Sequence, residues 1–151
     1  MSGKYKSLAK SLETTAGQGA CLGARFEEIA AILVGVKDRK RLEVCLDTAH
    51  VFAAGYDLSA QSGAETTFAE FDRVIGLNHL SLLHINDSKA ALSSRVDRHD
   101  NLGNGKIGLD AFRWIMNAPE LAEIPKILET PKGKDLAEDV EAMDLLRSFL
   151  E

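Results

Sequence analysis

The sequence contains little cysteine, proline or aromatic residue, and it has no long hydrophobic run. Its two cysteines, Cys21 and Cys45, form no CxxC pair, so we expect neither a disulfide framework nor a thiolate metal site. No apolar stretch approaches the roughly 20 residues that a membrane helix needs. The first residues, Met1 to Lys6, carry positive charge but are not followed by an apolar segment, which argues against a signal peptide. These absences favour a protein of a reducing compartment, not secreted and without a membrane partner.

The remaining composition is that of an ordinary globular protein. Of the 151 residues, 45% are hydrophobic and 27% are charged, and this length suggests one domain. The formal net charge is -5 and the sequence pI is near 5.4. A nucleic-acid-binding surface built from lysine and arginine would make the chain basic. Charge alone therefore argues against such binding, unless bound cations change the balance.

Short apolar runs alternate with helical patterns along the chain. Three runs predict buried strands: Glu43 to Asp47, Leu80 to Asn86, and Ile124 to Thr130. Before, between and after them, apolar residues at helical spacing predict four helices. Strands that alternate with helices are typical of parallel βαβ units, so the predicted fold class is α/β. The predicted helices are Ala24 to Val36, Ala64 to Ile75, Leu109 to Met116 and Lys134 to Leu150.

Two segments fit this alternation less well. Lys4 to Glu13 is interrupted by lysines and serines, whereas a strand of a parallel sheet should be continuously apolar. We leave it open whether this segment is a strand or is helical. The segment from Asp87 to Gly108 is a long loop that contains the turn signal Gly103-Asn104-Gly105. Loops of this length in compact domains are usually functional.

Acidic and imidazole side chains fall at the ends of the predicted strands. Asp47, His84 and Glu129 each lie at or near the end of one strand, His50 follows Asp47 on the next turn, and Glu13 would end the first strand. In parallel βα architectures, the carboxyl ends of the strands carry the active site. The sequence therefore predicts one site at one edge of the sheet.

The long loop adds a second pair of such side chains. In an extended segment, Asp97 and His99 point the same way and can hold one ion. Carboxylate and imidazole ligands without thiolate suit zinc, manganese or iron. Each residue taken alone has a structural alternative: Asp47 with Thr48 can cap a helix, and a single histidine at a strand end is more often structural. Their convergence favours a metal site, and the full candidate set is Glu13, Asp47, His50, His84, Asp97, His99 and Glu129.

Four motifs of the chain closely resemble signatures of the endonuclease IV family. They are LDTAHVFAAGYD from Leu46, HINDSK from His84 leading to RVDRH from Arg95, ETTAGQG from Glu13, and ILET from Ile127. The order and the spacing of the motifs also match, from about Leu12 onward, while residues 1–11 match less clearly. One departure is Ser93, where the family usually has glycine.

The resemblance implies a partial (β/α)8 TIM barrel. A complete barrel needs roughly 250 residues, and this chain has 151. Residues 1–151 are expected to form about four βα units, equivalent to the C-terminal half of a TIM-barrel metal-dependent endonuclease. Leu80, Leu82 and Ile127 are expected to line the inner face that the other half would cover.

The resemblance also implies an activity. Endonuclease IV proteins are zinc-dependent hydrolases of DNA base excision repair, which cut the phosphodiester 5′ to an abasic site with up to three zinc ions. Three such ions would change the formal charge from -5 to +1. Carried over by motif, Glu13 would bridge two zinc ions; Asp47, His84 and Glu129 would hold one of these, and His50, Asp97 and His99 the third. Glu129 and Glu13 would be the catalytic carboxylates, with Lys89 and Arg98 as phosphate contacts.

The expected partners follow from the same resemblance. They are double-stranded DNA with abasic sites and either the missing N-terminal half, which supplies two further histidines and DNA-wedging loops, or a second copy of the chain. The expected location is the cytoplasm, with the nucleoid, or the nucleus. Two alternatives stay open: a metal-dependent sugar isomerase or epimerase, and a half-barrel that binds metal without catalysis.

Overall fold

The computed structural model describes residues 10–38 and 41–150. In these residues, four parallel strands form a sheet in the order β1 (Lys10–Glu13), β2 (Leu42–Asp47), β3 (Leu80–His84) and β6 (Lys126–Ile127). The short strands β4 (Asp87–Ser88) and β5 (His99–Asp100) pair antiparallel with each other. Single turns of 3-10 helix, Leu77–His79 and Pro119–Leu121, precede β3 and β6. In chain order the elements are β1 (Lys10–Glu13), α1 (Phe26–Gly35), β2 (Leu42–Asp47), α2 (Thr48–Ala54), α3 (Gln61–Val74), β3 (Leu80–His84), β4 (Asp87–Ser88), β5 (His99–Asp100), α4 (Asp110–Asn117), β6 (Lys126–Ile127) and α5 (Ala137–Arg147).

The core lies between one face of the sheet and the helices. Burial of large apolar side chains there is the main favourable term in folding. Strands and helices alternate along the chain, as the α/β prediction requires. None of the described helices is long and apolar enough to cross a bilayer. Fully or almost fully buried side chains of this core include Val44, Leu46, Leu83, Ile85, Phe26, Phe71 and Phe112.

Two predicted strands end earlier than the sequence suggested. β3 stops at His84, because the backbone N–H of Asn86 donates to the hydroxyl of Thr48 at 2.8 Å instead of to a neighbouring strand. β6 is confined to Lys126–Ile127, because the backbone N–H of Glu129 donates to Oδ1 of Asn86 at 2.8 Å. The predictions that Asn86 and Glu129 end regular strands were therefore wrong. Side-chain hydrogen bonds replace the strand ladder at both positions.

The expectation that Leu80 lines the inner face was also wrong. An irregular register between Val44 and Cys45 pairs Val44 with Leu80 and Cys45 with Leu82. Leu80 consequently shares the helix side of the sheet with Val44 and is buried there, whereas Leu82 is half-buried. Ile127, at the β6 edge, is 47% exposed.

The four predicted helices are present with shifted ends, and α2 is additional. α5 differs most, because we expected Leu136, Val140, Met143, Leu146 and Leu150 to form its buried stripe. Only Leu146 of these is buried, and the helix packs on the core through Ala142 and Leu146. The other four side chains are exposed, and one of them, Met143, lines the same hollow as Ile127 at the β6 edge.

The long loop is ordered around two anchors. Its first part returns to the C-terminus of α2, where the backbone N–H groups of Ser93 and Arg95 donate to the carbonyls of Phe52 and Ala53. These contacts satisfy carbonyls that the helix end leaves unpaired. Ser93 adopts φ 62°, a left-handed conformation that glycine adopts most easily, in agreement with the glycine that the family resemblance leads one to expect there. The second part contains the β4–β5 pair, which the sequence did not predict.

Candidate metal centre

The strand ends bring four of the seven predicted ligands together. Glu13, Asp47 and His84 are the last residues of β1, β2 and β3, and Glu129 follows β6. Parallel pairing sets Asp47 opposite His84, and His84 opposite Ile127. The register therefore places the carboxyl ends of all four strands at one edge.

The first cluster, which we define as Glu13, Asp47, His84 and Glu129, surrounds one imidazole nitrogen. His84 Nδ1 lies 3.1 Å from Glu13 Oε1, 3.2 Å from Glu129 Oε2 and 3.6 Å from Asp47 Oδ2. One ligand atom from each residue fits within 4.8 Å of all the others. A single N–H cannot donate to three carboxylates at once, and like charges this close repel. This donor set fits a divalent cation.

The second cluster, which we define as His50, Asp97 and His99, lies beside the first. His50 Nε2 is 3.2 Å from Asp97 Oδ2, and His99 Nε2 is 3.3 Å from Asp97 Oδ1. The two Nε2 atoms are 3.4 Å apart. The long loop supplies Asp97 and His99, while α2 supplies His50.

Backbone carbonyls determine which nitrogen of each imidazole faces the second cluster. His50 Nδ1 lies 2.8 Å from the carbonyl oxygen of Thr14, and His99 Nδ1 lies 3.2 Å from that of Glu129. A carbonyl only accepts, so each Nδ1 carries the proton and donates it. In the neutral rings, both Nε2 lone pairs then point toward each other and toward Asp97. Such convergence of lone pairs suits a bound cation, and a hydrogen bond from the opposite nitrogen is usual for histidines that bind metals.

Asp47 joins the two clusters and also caps a helix. Asp47 is the N-cap residue of α2, and its Oδ1 accepts from the backbone N–H of His50 at 3.0 Å. Its Oδ2 lies 3.6 Å from both His84 Nδ1 and His99 Nε2. The capping interpretation of Asp47 and the ligand interpretation are therefore compatible, because each oxygen has its own partners.

Burial and charge shift the pKa values in this region in a consistent pattern. Burial raises the pKa of Asp47, but the contact with His84 and the charges of His50 and His99 outweigh it, so the net pKa is lowered. The pKa of His84 is raised from 6.5 to about 9, mainly by Asp47, against the opposing effect of burial. Burial lowers the pKa of His50, but the charges of Asp47 and Asp97 outweigh this effect, so the net pKa is raised. The carboxylates thus attract positive charge, from protons or from a metal.

This pattern predicts how pH affects the metal-free chain. The folded pKa of His84, about 9, lies above its unfolded value of 6.5. Its protonation therefore stabilises the fold fully below pH 6.5, and this contribution is lost as pH rises through 9. Because a pKa difference of one corresponds to about 1.4 kcal/mol, the lost free energy of unfolding is on the order of 3 kcal/mol. Urea denaturation of chelator-treated protein should show a falling midpoint between pH 6.5 and 9.

The control for this effect is His79→Gln, since His79 lies in the turn before β3, at the opposite end of that strand. It should keep the wild-type pH dependence, whereas His84→Gln should flatten it. A midpoint that stays constant or rises over this range in the wild type would contradict the electrostatic account.

The remaining residues singled out from the sequence lie around the clusters. Burial, with the charges of Glu13 and Asp47, raises the pKa of Cys45 to about 12, so its thiol stays protonated although it lies beside Glu13 and His84. Lys89 is exposed, with Nζ 3.8 Å from Asp100 Oδ1. The exposed Arg98 donates to the carbonyl of Asp97 at 3.2 Å.

The sequence reasoning missed three polar residues that hold the ligands in place. Thr14 accepts from the backbone N–H of Asp47 through its hydroxyl, at 2.9 Å. The hydroxyl of Thr48 binds both backbone groups of Asn86, and the amide of Asn86 donates to Asp47 Oδ2 at 2.7 Å. A threonine or asparagine one or two residues after a strand-end ligand was the available signal.

The comparison with known families assigns the fold. Residues 10–149 match the model of the xylose isomerase-like TIM barrel family. The chain belongs to this family, and its four parallel strands with their helices form part of a (β/α)8 barrel.

Within that family, the chain is an endonuclease IV relative. It is 51% identical over 140 residues to "Probable endonuclease 4" of Chloroflexus aurantiacus, covering 93% of this chain and 49% of that protein. The identity to the protein of the same name from Geobacter sulfurreducens is 52% over 139 residues, which cover 92% of this chain and 47% of that protein. The crystal structure of endonuclease IV from Thermus thermophilus superposes with a TM-score of 0.80 at 39% identity. The superposition covers 92% of this chain and 48% of that structure. The chain therefore spans about half the length of these relatives.

Proposed function

We propose that the chain is the C-terminal half of a zinc-dependent abasic-site endonuclease of DNA repair. The observation that carries this proposal is the convergence of three carboxylates on His84 Nδ1 beside a second cluster with two inward-facing imidazole lone pairs. The names of the relatives favour a nuclease over a sugar isomerase. The donor set supports zinc, although manganese and iron accept the same ligands.

The proposed roles of the residues follow from their positions. Asp47, His84 and Glu129 would hold one ion, Glu13 would bridge it to a further ion, and His50, Asp97 and His99 would hold another. Zinc at such a site supplies Lewis-acid chemistry, in which it activates water and neutralises the charge that builds up on a phosphate. Glu13 and Glu129 have side chains 39% and 47% exposed, so their carboxylates can reach substrate as well as metal. Glu129 would orient the attacking water by accepting its proton in a hydrogen bond.

The proposed substrate is double-stranded DNA that contains an abasic site. Lys89 and Arg98 lie on the hairpin that carries His99, and the backbone N–H of Lys89 donates to the carbonyl of Arg98. Arg98 follows Asp97 and donates to its carbonyl, and Lys89 pairs with Asp100, the residue after His99, so we propose both charges as phosphate contacts near the second cluster. Metal ions at the clusters would offset the acidic net charge of the chain. These features support DNA as the partner. We propose a cytoplasmic or nuclear location, in keeping with the family resemblance.

The proposed protein partner is the other half of the barrel. The β6 edge carries the exposed Ile127, and a mostly apolar hollow lies between it and Met143 of α5. Ile85 and Leu128 also line this hollow, together with the charged residues Lys126 and Asp139. An open strand edge is a template for pairing, and an exposed apolar patch marks an interface. The half-length match to the relatives supports the N-terminal half as the natural occupant, with self-association as the outcome when it is missing.

The metal assignment predicts a specific stoichiometry. We expect the chain to bind two zinc ions, one in each cluster, because each cluster has at least three protein ligands. His99→Ala should lower the content to one ion, whereas His79→Ala should leave it at two. Metal analysis after removal of loosely bound zinc measures this. An unchanged zinc content in His99→Ala would contradict the assignment of the second cluster.

A chimera tests the activity itself. The first half of the Chloroflexus aurantiacus relative, fused to residues 10–151 of this chain, should cut abasic duplex DNA on the 5′ side and leave a 3′-hydroxyl that a polymerase extends. An undamaged duplex and a Glu129→Gln chimera are the controls. A folded, zinc-loaded chimera that does not cut would overturn the proposed activity.

A further inference from the structure

Two consecutive residues between the clusters are completely buried and polar. Asn86 and Asp87 are both 0% exposed; Asn86 lies two residues after the end of β3, and Asp87 begins β4. Neither belongs to the candidate ligand set. Burying an amide and a carboxylate is costly unless each is fully hydrogen-bonded. Their hydrogen-bond partners therefore indicate which parts of the site they hold in place.

The side chain of Asn86 links two ligands of the first cluster. Its Nδ2 donates to Asp47 Oδ2 at 2.7 Å, and its Oδ1 accepts from the backbone N–H of Glu129 at 2.8 Å. Asp47 ends β2, whereas Glu129 lies beyond the end of the short β6. A single amide therefore fixes the separation of two carboxylates that no strand pairing aligns.

The side chain of Asp87 organises the loop that bears the second cluster. Its Oδ1 accepts from the backbone N–H groups of Ser88 and Ile107, and its Oδ2 from those of Gly103 and Gly105, all at 2.8 to 3.1 Å. A Cβ at Gly105 would lie 2.6 Å from Asp87 Cγ and from the Ser88 carbonyl oxygen, so only glycine fits there.

The hairpin connects Asp87 to the second cluster. Asp87 pairs with Asp100 and Ser88 pairs with His99. By gathering four backbone N–H groups, the Asp87 carboxylate holds the far side of the loop in place, and the β4–β5 pair transmits this position to His99. A loop fixed in this way presents His99 Nε2 at a constant distance from His50 Nε2.

We propose that Asn86 and Asp87 are separate positioning residues for the two metal clusters. Asn86 sets the geometry of the first cluster, and Asp87 sets that of the second. This inference rests on the proposed metal-binding function, but it predicts something that function does not require: each residue should affect one cluster and spare the other. A role in stability alone would weaken both clusters together.

The test measures zinc affinity of the full chain by competition with a zinc-binding dye, in backgrounds that retain one cluster each. His84→Ala disables the first cluster, and His99→Ala disables the second. Asp87→Asn should lower zinc affinity about 10- to 100-fold in the His84→Ala background and leave it unchanged in the His99→Ala background. Asn86→Ala should show the reverse selectivity.

Controls and alternative variants keep this test decisive. Asp57→Asn removes a carboxylate that also accepts a backbone N–H, and Asn117→Ala removes an amide that also binds carbonyls, both outside the clusters. Neither should change either affinity. If circular dichroism shows that Asp87→Asn or Asn86→Ala is unfolded, Gly103→Ala replaces the former and Thr48→Val the latter, with the same expected selectivity. Gly103 donates its N–H to Asp87, and an added Cβ there would meet only the Leu109 side chain, at 3.2 Å or more.

The outcomes separate this inference from the proposed function. Zinc binding in both backgrounds, with equal losses or no loss for the two variants, would overturn the positioning roles alone. Failure of both backgrounds to bind zinc would overturn the metal assignment and the positioning roles together. If Asp87→Asn weakens binding only in the His84→Ala background and Asn86→Ala only in the His99→Ala background, the metal assignment and the positioning roles are both supported.

Discussion

The isolated chain is expected to cut abasic duplex DNA more than about 10³-fold more slowly than the complete Chloroflexus aurantiacus relative, because substrate positioning and charge stabilisation supply rate factors of this size. The chain spans about half of that relative. Side chains of the two proposed catalytic carboxylates are 39% and 47% exposed, so water reaches the site that the other half of a barrel would cover. The resemblance also assigns two further histidine ligands to that half.

The comparison is made by a nicking assay at equal protein concentration. Adding the separately produced first half of the relative should restore much of the rate, and sedimentation velocity of the same samples should show larger species of the chain alone being replaced by a one-to-one complex. The undamaged duplex controls for contaminating nucleases. A monomeric chain that cuts at the rate of the complete relative would show that these residues close a working site alone.

Replacement of Asp47 has the next largest expected effect. Its carboxylate is completely buried, accepts from His50 N–H and from the Asn86 amide, and approaches both imidazoles of the neighbouring strand and loop. Asp47→Ala removes the cap of α2 and leaves buried donors unpaired, so we expect a loss of about 3–5 kcal/mol in the free energy of unfolding of the metal-free chain. It should also abolish zinc binding by the first cluster.

Asp47→Asn separates these two effects. The amide can keep its oxygen toward the His50 N–H and preserve the cap, but it carries no charge for a metal. We expect Asp47→Asn to lose zinc with a smaller loss of stability than Asp47→Ala, as measured by metal analysis and urea denaturation. Asp57→Asn, at an exposed carboxylate that also caps a turn, should change neither quantity. Retention of full zinc content in Asp47→Asn would argue against Asp47 as a ligand.

The central strands were predictable because their signals are strong and local. The run that ends at Asp47 is apolar on the helix side, and its buried residues Val44 and Leu46 lie where the alternation predicts. β6 was not predictable in the same way, since the Glu129 N–H binds the Asn86 side chain and not a strand. A partner 43 positions away in the sequence leaves no mark on the local pattern.

Helix α2 and the buried face of α5 show two other limits. α2 follows β2 without a loop, and Asp47 is its N-cap while also facing the clusters. The same residue therefore marks both the end of a strand with a candidate ligand and the start of a helix. In α5 the apolar stripe predicted from spacing is mostly exposed, and Leu146 is its one buried member. Spacing alone cannot distinguish a face that packs on this chain's core from one that another part of a barrel would cover.

For the candidate site, the motifs indicated the seven side chains, but not the atoms that hold them. The distances among Glu13, Asp47, His84 and Glu129 depend on the parallel register, which the alternation implied. The orientation of His50 depends on the Thr14 carbonyl, and that of His99 on the Glu129 carbonyl. These are contacts between backbone and side chain over long sequence separations, and they become visible only in the structure.

The measurement that tests this account most directly is anomalous diffraction at the zinc edge from crystals of the zinc-loaded chain. We expect two peaks, one about 2.0–2.2 Å from ligand atoms of Asp47, His84 and Glu129, and a second at the same distances from His50, Asp97 and His99. A single peak would leave only one cluster as a metal site. Well-ordered density for these side chains with no anomalous peak among them would contradict the account.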